Sequence, residues 1–288
     1  TLLEVGLGGR LDATNVVANP VATVITPVDL DHQQFLGETL REIAGEKAGI
    51  IKRRVPCIVG PQKEEGLEVI EAVAARHMAP LAVYGQHWHA YREAGRMVYQ
   101  DEQGLLDLPL PRLPGLHQVQ NAGGALATLR VLGFDAAACE AAVTNAYWPA
   151  RMQRLKTGPL VEAAGEAELW LDGGHNPAAG RAMAMVLDEL PKVPTYLICG
   201  MLNTKDIEGY LRPLLPHVSG LHAVSIPDTV ATLPAADTAR AAKAVGMDAK
   251  EAPDVATALH EIVAKDPLAR ILICGSLYLA GNILRFNG

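Results

Sequence analysis

ELWLDGGHNPAAG, residues 168–180, decides the fold. An apolar strand-like run ends on Asp172, two glycines and His175 make a turn, Asn176 stands at a helix N-cap, and Pro177 takes the first helical position. Ala179, Ala182, Met183, Val186, Leu187 and Leu190 then recur at helical spacing and form one apolar stripe. A strand entering an amphipathic helix through a tight polar turn is half of a βαβ unit, so this stretch alone implies a parallel sheet covered by helices.

The pattern repeats outward from there. Downstream, strands are expected at 195–199, 220–225 and 270–274, each followed by a helical stretch, which predicts a compact Rossmann-like layer domain. Upstream, WPARMQRLKTGP (148–159) holds two prolines, a glycine and the cations Arg151, Arg154 and Lys156. It reads as a boundary that divides the chain into domains 1–149 and 150–288. The first half predicts strands at 2–5, 22–26 and 57–59 and helices at 38–52 and 63–77. Residues 81–110 alternate residue by residue around Gly and Asp-Glu turns, which suggests a small antiparallel insert. Helices at 116–133 and 136–147 complete an α/β chain. Residues 2–5 read as a buried parallel strand whose sheet neighbours precede Thr1, so the chain is expected to begin inside a fold.

The composition fits that class. With 288 residues and 49% apolar content, the chain can bury two ordinary cores. A formal net charge of -7 without a Lys/Arg cluster argues against nucleic acid as a partner. Cys57, Cys139, Cys199 and Cys274 lie far apart without CxxC spacing, as reduced core thiols of a cytoplasmic protein do. No apolar stretch approaches the roughly 20 residues that cross a bilayer, and the opening is not a signal peptide.

Four constellations could carry chemistry. EVGLGGRLDATN (4–15) invites a dinucleotide reading, but the third glycine of that fingerprint falls on Leu11 and Pro20 interrupts the following helix. Its informative residue is Glu4: an acid in an apolar strand needs a metal, a cation such as Arg10, or a set of donors. ATVIT then runs into PVDLDH, placing Asp29, Asp31 and His32 beyond a strand end, either as ligands for Mg²⁺ or Mn²⁺ or as a turn and cap. Lys47 falls in the apolar stripe formed by Leu40, Ile43, Ala44, Ile50 and Ile51. A lysine held there becomes a reactive amine, able to take up CO₂ as a carbamate, unless it snorkels to the helix rim. Asp172, His175 and Asn176 occupy a turn whose free N–H groups suit an anion, or which simply joins strand to helix.

Taken in order, TLLEVGLGGRLDATN, DHQQFLG, GEKAGI, QNAG, PARMQ, LDGGHNP, GMLNTKD and GSLYLAGN resemble the motif set of folylpolyglutamate synthase/dihydrofolate synthase, relatives of the Mur ligases, over nearly the whole chain. The resemblance implies a Mur-ligase-type central ATPase domain, truncated here, followed by the Rossmann-like domain as a C-terminal glutamate ligase domain. It implies Glu4 and His32 as magnesium ligands, and Lys47 as a carbamate near a second metal. Leu11, Asp12 and Ala13 would border the pterin; Asn121, Arg151 and Asp172 would contact ATP; His175 would lie in the nucleotide-facing loop, with Lys47 as its catalytic companion. Lys205 and Asp206 fall on the glutamate side. Ala150 departs from the family, which usually has glycine there. The G-T-N-G-K-[GS]-S loop and a serine metal ligand are not in this sequence, and the resemblance places them before Thr1.

The implied reaction is ATP-dependent addition of L-glutamate to dihydropteroate or a reduced folate through an acyl phosphate, by a cytoplasmic monomer with no membrane partner. The piece alone is expected to be inactive. A Mur-type muropeptide ligase and a non-catalytic nucleotide- or folate-binding fragment are the rival readings.

Overall fold

A computed structural model describes residues 1–287, which form two compact units. The first comprises Thr1–Arg112 and Leu116–Ala146. Its parallel sheet is β1 (Thr23–Ile25), β2 (Cys57–Val59) and β3 (Leu81–Val83), in that order, with Val24 beside Ile58 and Ile58 beside Ala82. On one face lie α2 (Leu40–Ala48) and α3 (Glu64–His77), preceded by the single-turn α1 (Gln33–Leu36). The α2 stripe Leu40, Ile43 and Ala44 joins Ile25, Val59, Ile70 and Val83 in one core. Thr39 and Glu42 form a capping box that starts α2, which satisfies two N-terminal donors reciprocally.

Next comes an antiparallel meander of β4 (Trp88–Glu93), β5 (Arg96–Asp101) and β6 (Gly104–Leu108). It packs on α4 (Leu116–Val131), which α5 (Ala136–Asn145) follows. A Cβ on Gly123 would stand 2.4 Å from the Ala90 Cβ and 2.7 Å from the Trp88 ring, so only glycine lets helix and sheet approach this closely. Arg130 pairs with Asp101 at 3.0 Å, with side chains only 12% and 9% exposed.

Two expectations change. Residues 1–5 form no strand, and Leu2 and Leu3 are 100% and 51% exposed. Apolar composition makes a strand only where a neighbour completes the ladder, and none of the described strands pairs with this segment. The antiparallel insert also starts later than its alternation suggests: Leu81–Val83 is a third parallel strand, with Val83 in the core.

The second unit comprises Leu113–Gly115 and the chain from Tyr147 onward. Its six-stranded sheet contains β7 (Gln153–Arg154), β8 (Glu168–Leu171), β9 (Thr195–Cys199), β10 (Gly220–Ala223), β11 (Ala249–Glu251) and β12 (Arg270–Cys274), ordered β11-β10-β9-β12-β8-β7. All neighbours are parallel except β7 with β8. Every residue of central β9 and β12 is buried, as expected of strands covered on both faces. One face carries α6 (Pro159–Ala164), α10 (Val255–Lys265) and α11 (Leu277–Phe286). The other carries α7 (Pro177–Glu189), α8 (Ile207–Leu211) and α9 (Ala235–Ala244). Strands β7 and β11, of two and three residues, were too short to read from periodicity. The chain moves one way across the sheet from β7 to β11 and then returns to place β12 between β8 and β9, so the helices that follow β8 and β12 lie on opposite faces. The carboxyl ends of these strands are where ligands collect in such sheets.

All four cysteines are free and buried. Among the described residues no helix is long and apolar enough to cross a membrane.

Candidate active site

In the first unit, the glycine-rich turn is built to sit on α2. A Cβ on Gly9, at φ +158°, would meet the Glu46 carbonyl oxygen at 2.7 Å and the Lys47 Cα at 3.1 Å. Arg10 N–H donates to the same carbonyl at 2.8 Å, and the Arg10 guanidinium pairs with the Glu46 carboxylate at 2.9 Å. The glycines that mimic a phosphate loop therefore serve close packing on a helix. Asp12 folds the turn from the other side: its carboxylate accepts the N–H groups of Gly6, Leu7 and Thr14 and the Thr14 hydroxyl. These bonds, led by the Thr14 hydroxyl, lower its pKa from 3.8 to about 2.

Beside this turn lies a cavity of about 870 Å³ whose wall includes Glu4, Asp29, Asp31, His32, Lys47 and Lys52. Glu4 is exposed, so the sequence argument from a buried acid does not apply to it in this structure. His32 follows β1 at the start of α1, at φ +52°, and its Nε2 stands 3.9 Å from the Asp31 carboxylate. Lys63 binds Asp29 at 3.0 Å. Lys47, on the last turn of α2, is half-buried rather than sunk in the core, because Ile43, Ala44 and Ala48 take the innermost positions. Among the described residues, no group of three or more His, Cys, Asp or Glu side chains is gathered to hold a metal ion.

The cavity wall does not include Leu11, Asp12, Ala13 or Asn121. Leu11 is 79% exposed, Ala13 begins the short 3-10 turn that Asp12 caps, and Asn121 lies exposed on α4 with its amide donating to Gln118. Lys52, which the sequence reading missed, is on the wall with its ammonium 3.4 Å from the Asn15 carbonyl. Five residues from Lys47 is a spacing that turns side chains to different sides of a helix, and α2 ends at Ala48, so no sequence pattern announced it.

In the second unit, Asp172 follows β8 and is 6% exposed. One carboxylate oxygen accepts Met152 N–H at 2.8 Å and the other accepts Gly174 N–H at 2.7 Å. Burial pushes this carboxyl up, against the pull of those two bonds and of Arg151 and His175. His175 Nδ1 stands 3.1 Å from the Gly173 carbonyl. Asn176 caps α7 by accepting Ala179 N–H, with Pro177 just inside, as its sequence predicts. The Arg151 guanidinium comes close to Gly173, where a Cβ would lie 3.3 Å from its Nη1 and 2.3 Å from the Leu277 Cδ2. After β9, Asp206 caps α8, with Lys205 next to it. Asp172, Arg151 and His175 are thus brought together.

Parallel sheets with polar loops at the carboxyl ends of their strands define an α/β protein of the ligand-binding, doubly covered type. A family model described as "Dihydrofolate synthetase, C-terminal domain" matches residues 159–286. A folylpolyglutamate synthase of Lacticaseibacillus casei is 30% identical over 98% of this chain and 65% of its own length. The folylpolyglutamate synthase of Mycobacterium tuberculosis, solved with ADP and AMPPCP, superposes with a TM-score of 0.82 at 31% identity, covering 98% of this chain and 67% of that one. The bifunctional folylpolyglutamate synthase/dihydrofolate synthase of Yersinia pestis, solved with AMPPNP and a Mn ion, gives a TM-score of 0.83 at 29% identity over 98% and 64%. The chain belongs to the folylpolyglutamate synthase/dihydrofolate synthase family. It spans a little under two thirds of the length of the L. casei relative.

Proposed function

We propose that this chain serves an ATP-dependent amide ligase that joins L-glutamate to dihydropteroate, to a reduced folyl-polyglutamate, or to both. The observation that carries the reading is the cavity of about 870 Å³ whose wall holds Glu4, His32 and Lys47. Family membership supports it. A carboxylate and an imidazole opening onto one cavity form a donor pair suited to Mg²⁺ or Mn²⁺. Mg²⁺ commonly takes one or two protein ligands, leaving the rest to water and phosphate, so an incomplete protein cage fits this ion. Glu4 and His32 would hold it, and when bound it would offset charge on the transferring phosphoryl group.

The chain's own residues do the rest. Lys47 stands on the same wall and, as an amine or a carbamate, orients the reacting carboxylate or the ion. Within the second unit, Arg151, Asp172 and His175 are assigned to the nucleotide; within the first, Leu11, Asp12 and Ala13 are assigned to the border of the pterin. Lys205 and Asp206 are assigned to glutamate. The substrate carboxylate attacks the γ-phosphorus and ADP leaves; the glutamate amine then attacks the acyl carbon and phosphate leaves. Most of the rate comes from positioning. The free, buried cysteines agree with a reducing cytoplasm, where the protein acts as a monomer.

The test supplies the protein containing this chain with ATP, Mg²⁺, L-glutamate and dihydropteroate or a reduced folate, and follows ADP and product mass. The expected result is ADP release that requires both glutamate and the pterin compound, with one glutamyl group added. ADP release only with a nucleotide-linked muropeptide would favour the Mur-type reading and defeat this one.

A further inference from the structure

The residues flanking Arg151 have unusual backbone geometry. Ala150 lies at φ +54° and Met152 at φ +42°, both in the left-handed region that side-chain-bearing residues avoid. Such a conformation persists only where neighbouring bonds enforce it. Here the Ala150 N–H donates to the side-chain carbonyl of Gln153 at 2.9 Å. The Gly173 N–H donates to the Ala150 carbonyl at 2.9 Å, and the Met152 N–H donates to Asp172 at 2.8 Å. The same Ala150 carbonyl accepts the Arg151 Nη1 at 3.3 Å.

Gln153 is set for this task by the sheet. It opens β7 and pairs with Leu171, directly before Asp172, so its backbone is fixed while its side chain turns back to Ala150. Its amide nitrogen also reaches the Tyr147 hydroxyl at 3.4 Å.

We infer that Gln153 is a positioning residue for Arg151: its carbonyl holds Ala150 left-handed, and the turn so fixed brings the guanidinium up to Gly173. The inference rests on the proposed contact of Arg151 with nucleotide. It also accounts for how an alanine is held in a conformation that only glycine enters without a holding bond.

The experiment is a double-mutant cycle in the protein containing this chain, with ADP affinity measured by titration calorimetry. Gln153→Met keeps the length and removes the acceptor; it is expected to weaken ADP binding about fivefold, the effect of one lost hydrogen bond. Adding Ala150→Gly should restore affinity to that of Ala150→Gly alone, and Gln153→Glu, which keeps an acceptor, should bind as the parent does. Hydrogen exchange at the Gly173 amide should quicken in Gln153→Met and slow again in the double variant. Unchanged Gly173 exchange in Gln153→Met, or a binding defect that Ala150→Gly does not repair, would overturn the inference. Arg151→Ala separates the two claims: undiminished ADP affinity there defeats the nucleotide assignment, while Gly173 exchange still decides whether Gln153 holds the turn.

Discussion

Asp12 folds the glycine-rich turn by accepting three backbone N–H groups and a hydroxyl, and that makes its charge part of the fold. Its pKa in the folded protein, about 2, lies below the ordinary 3.8, so its stabilisation is present above about pH 4 and is lost as pH falls through about 2. Thermal melting of the parent and Asp12→Asn should therefore differ at neutral pH and converge near pH 2; a gap that stays constant down to pH 2 would contradict this. The caps are simpler. Asn176→Ala removes the acceptor for Ala179 N–H and should cost about 1 kcal/mol, read by denaturant unfolding. Asn176 and Asp172 were legible in the sequence because strand, turn, cap and proline follow one another without a gap. Gln153 was not, since its role depends on a left-handed Ala150 that no side-chain pattern announces. Glu4 was singled out for a burial it does not have.

At the scale of elements, α2 and the turn resting on it are a single construction. Gly9→Ala would drive a methyl group into the Glu46 carbonyl and the Lys47 backbone, and should cost about 1–3 kcal/mol while displacing the helix that carries Lys47. Unchanged melting of that variant would refute the close approach. Helices α2, α3, α4 and α7 were readable because their stripes are long enough for the 3.6-residue period to show. Strands β9 and β12 were readable because both faces are buried, which leaves uninterrupted apolar runs. The same signal misled at residues 1–5, where an apolar run has no ladder partner among the described strands. It was also incomplete at β3, which borders a meander whose alternation overran it.

On the scale of the whole molecule, each unit presents one polar group of residues at the carboxyl end of a parallel sheet: Asp29, Asp31 and His32 beyond β1, and Asp172, Gly174 and His175 beyond β8. The sequence revealed both edges because strand ends and polar loops alternate visibly. It could not reveal that Lys52 shares a wall with Lys47, which depends on how the turn before it folds back. Mn²⁺ binding to the protein containing this chain, with ADP present and followed by electron paramagnetic resonance, tests the central claim most directly. Binding that weakens at least about tenfold in Glu4→Ala and in His32→Ala, with melting unchanged, is the predicted result. Mn²⁺ bound equally well by the parent and both variants would contradict it.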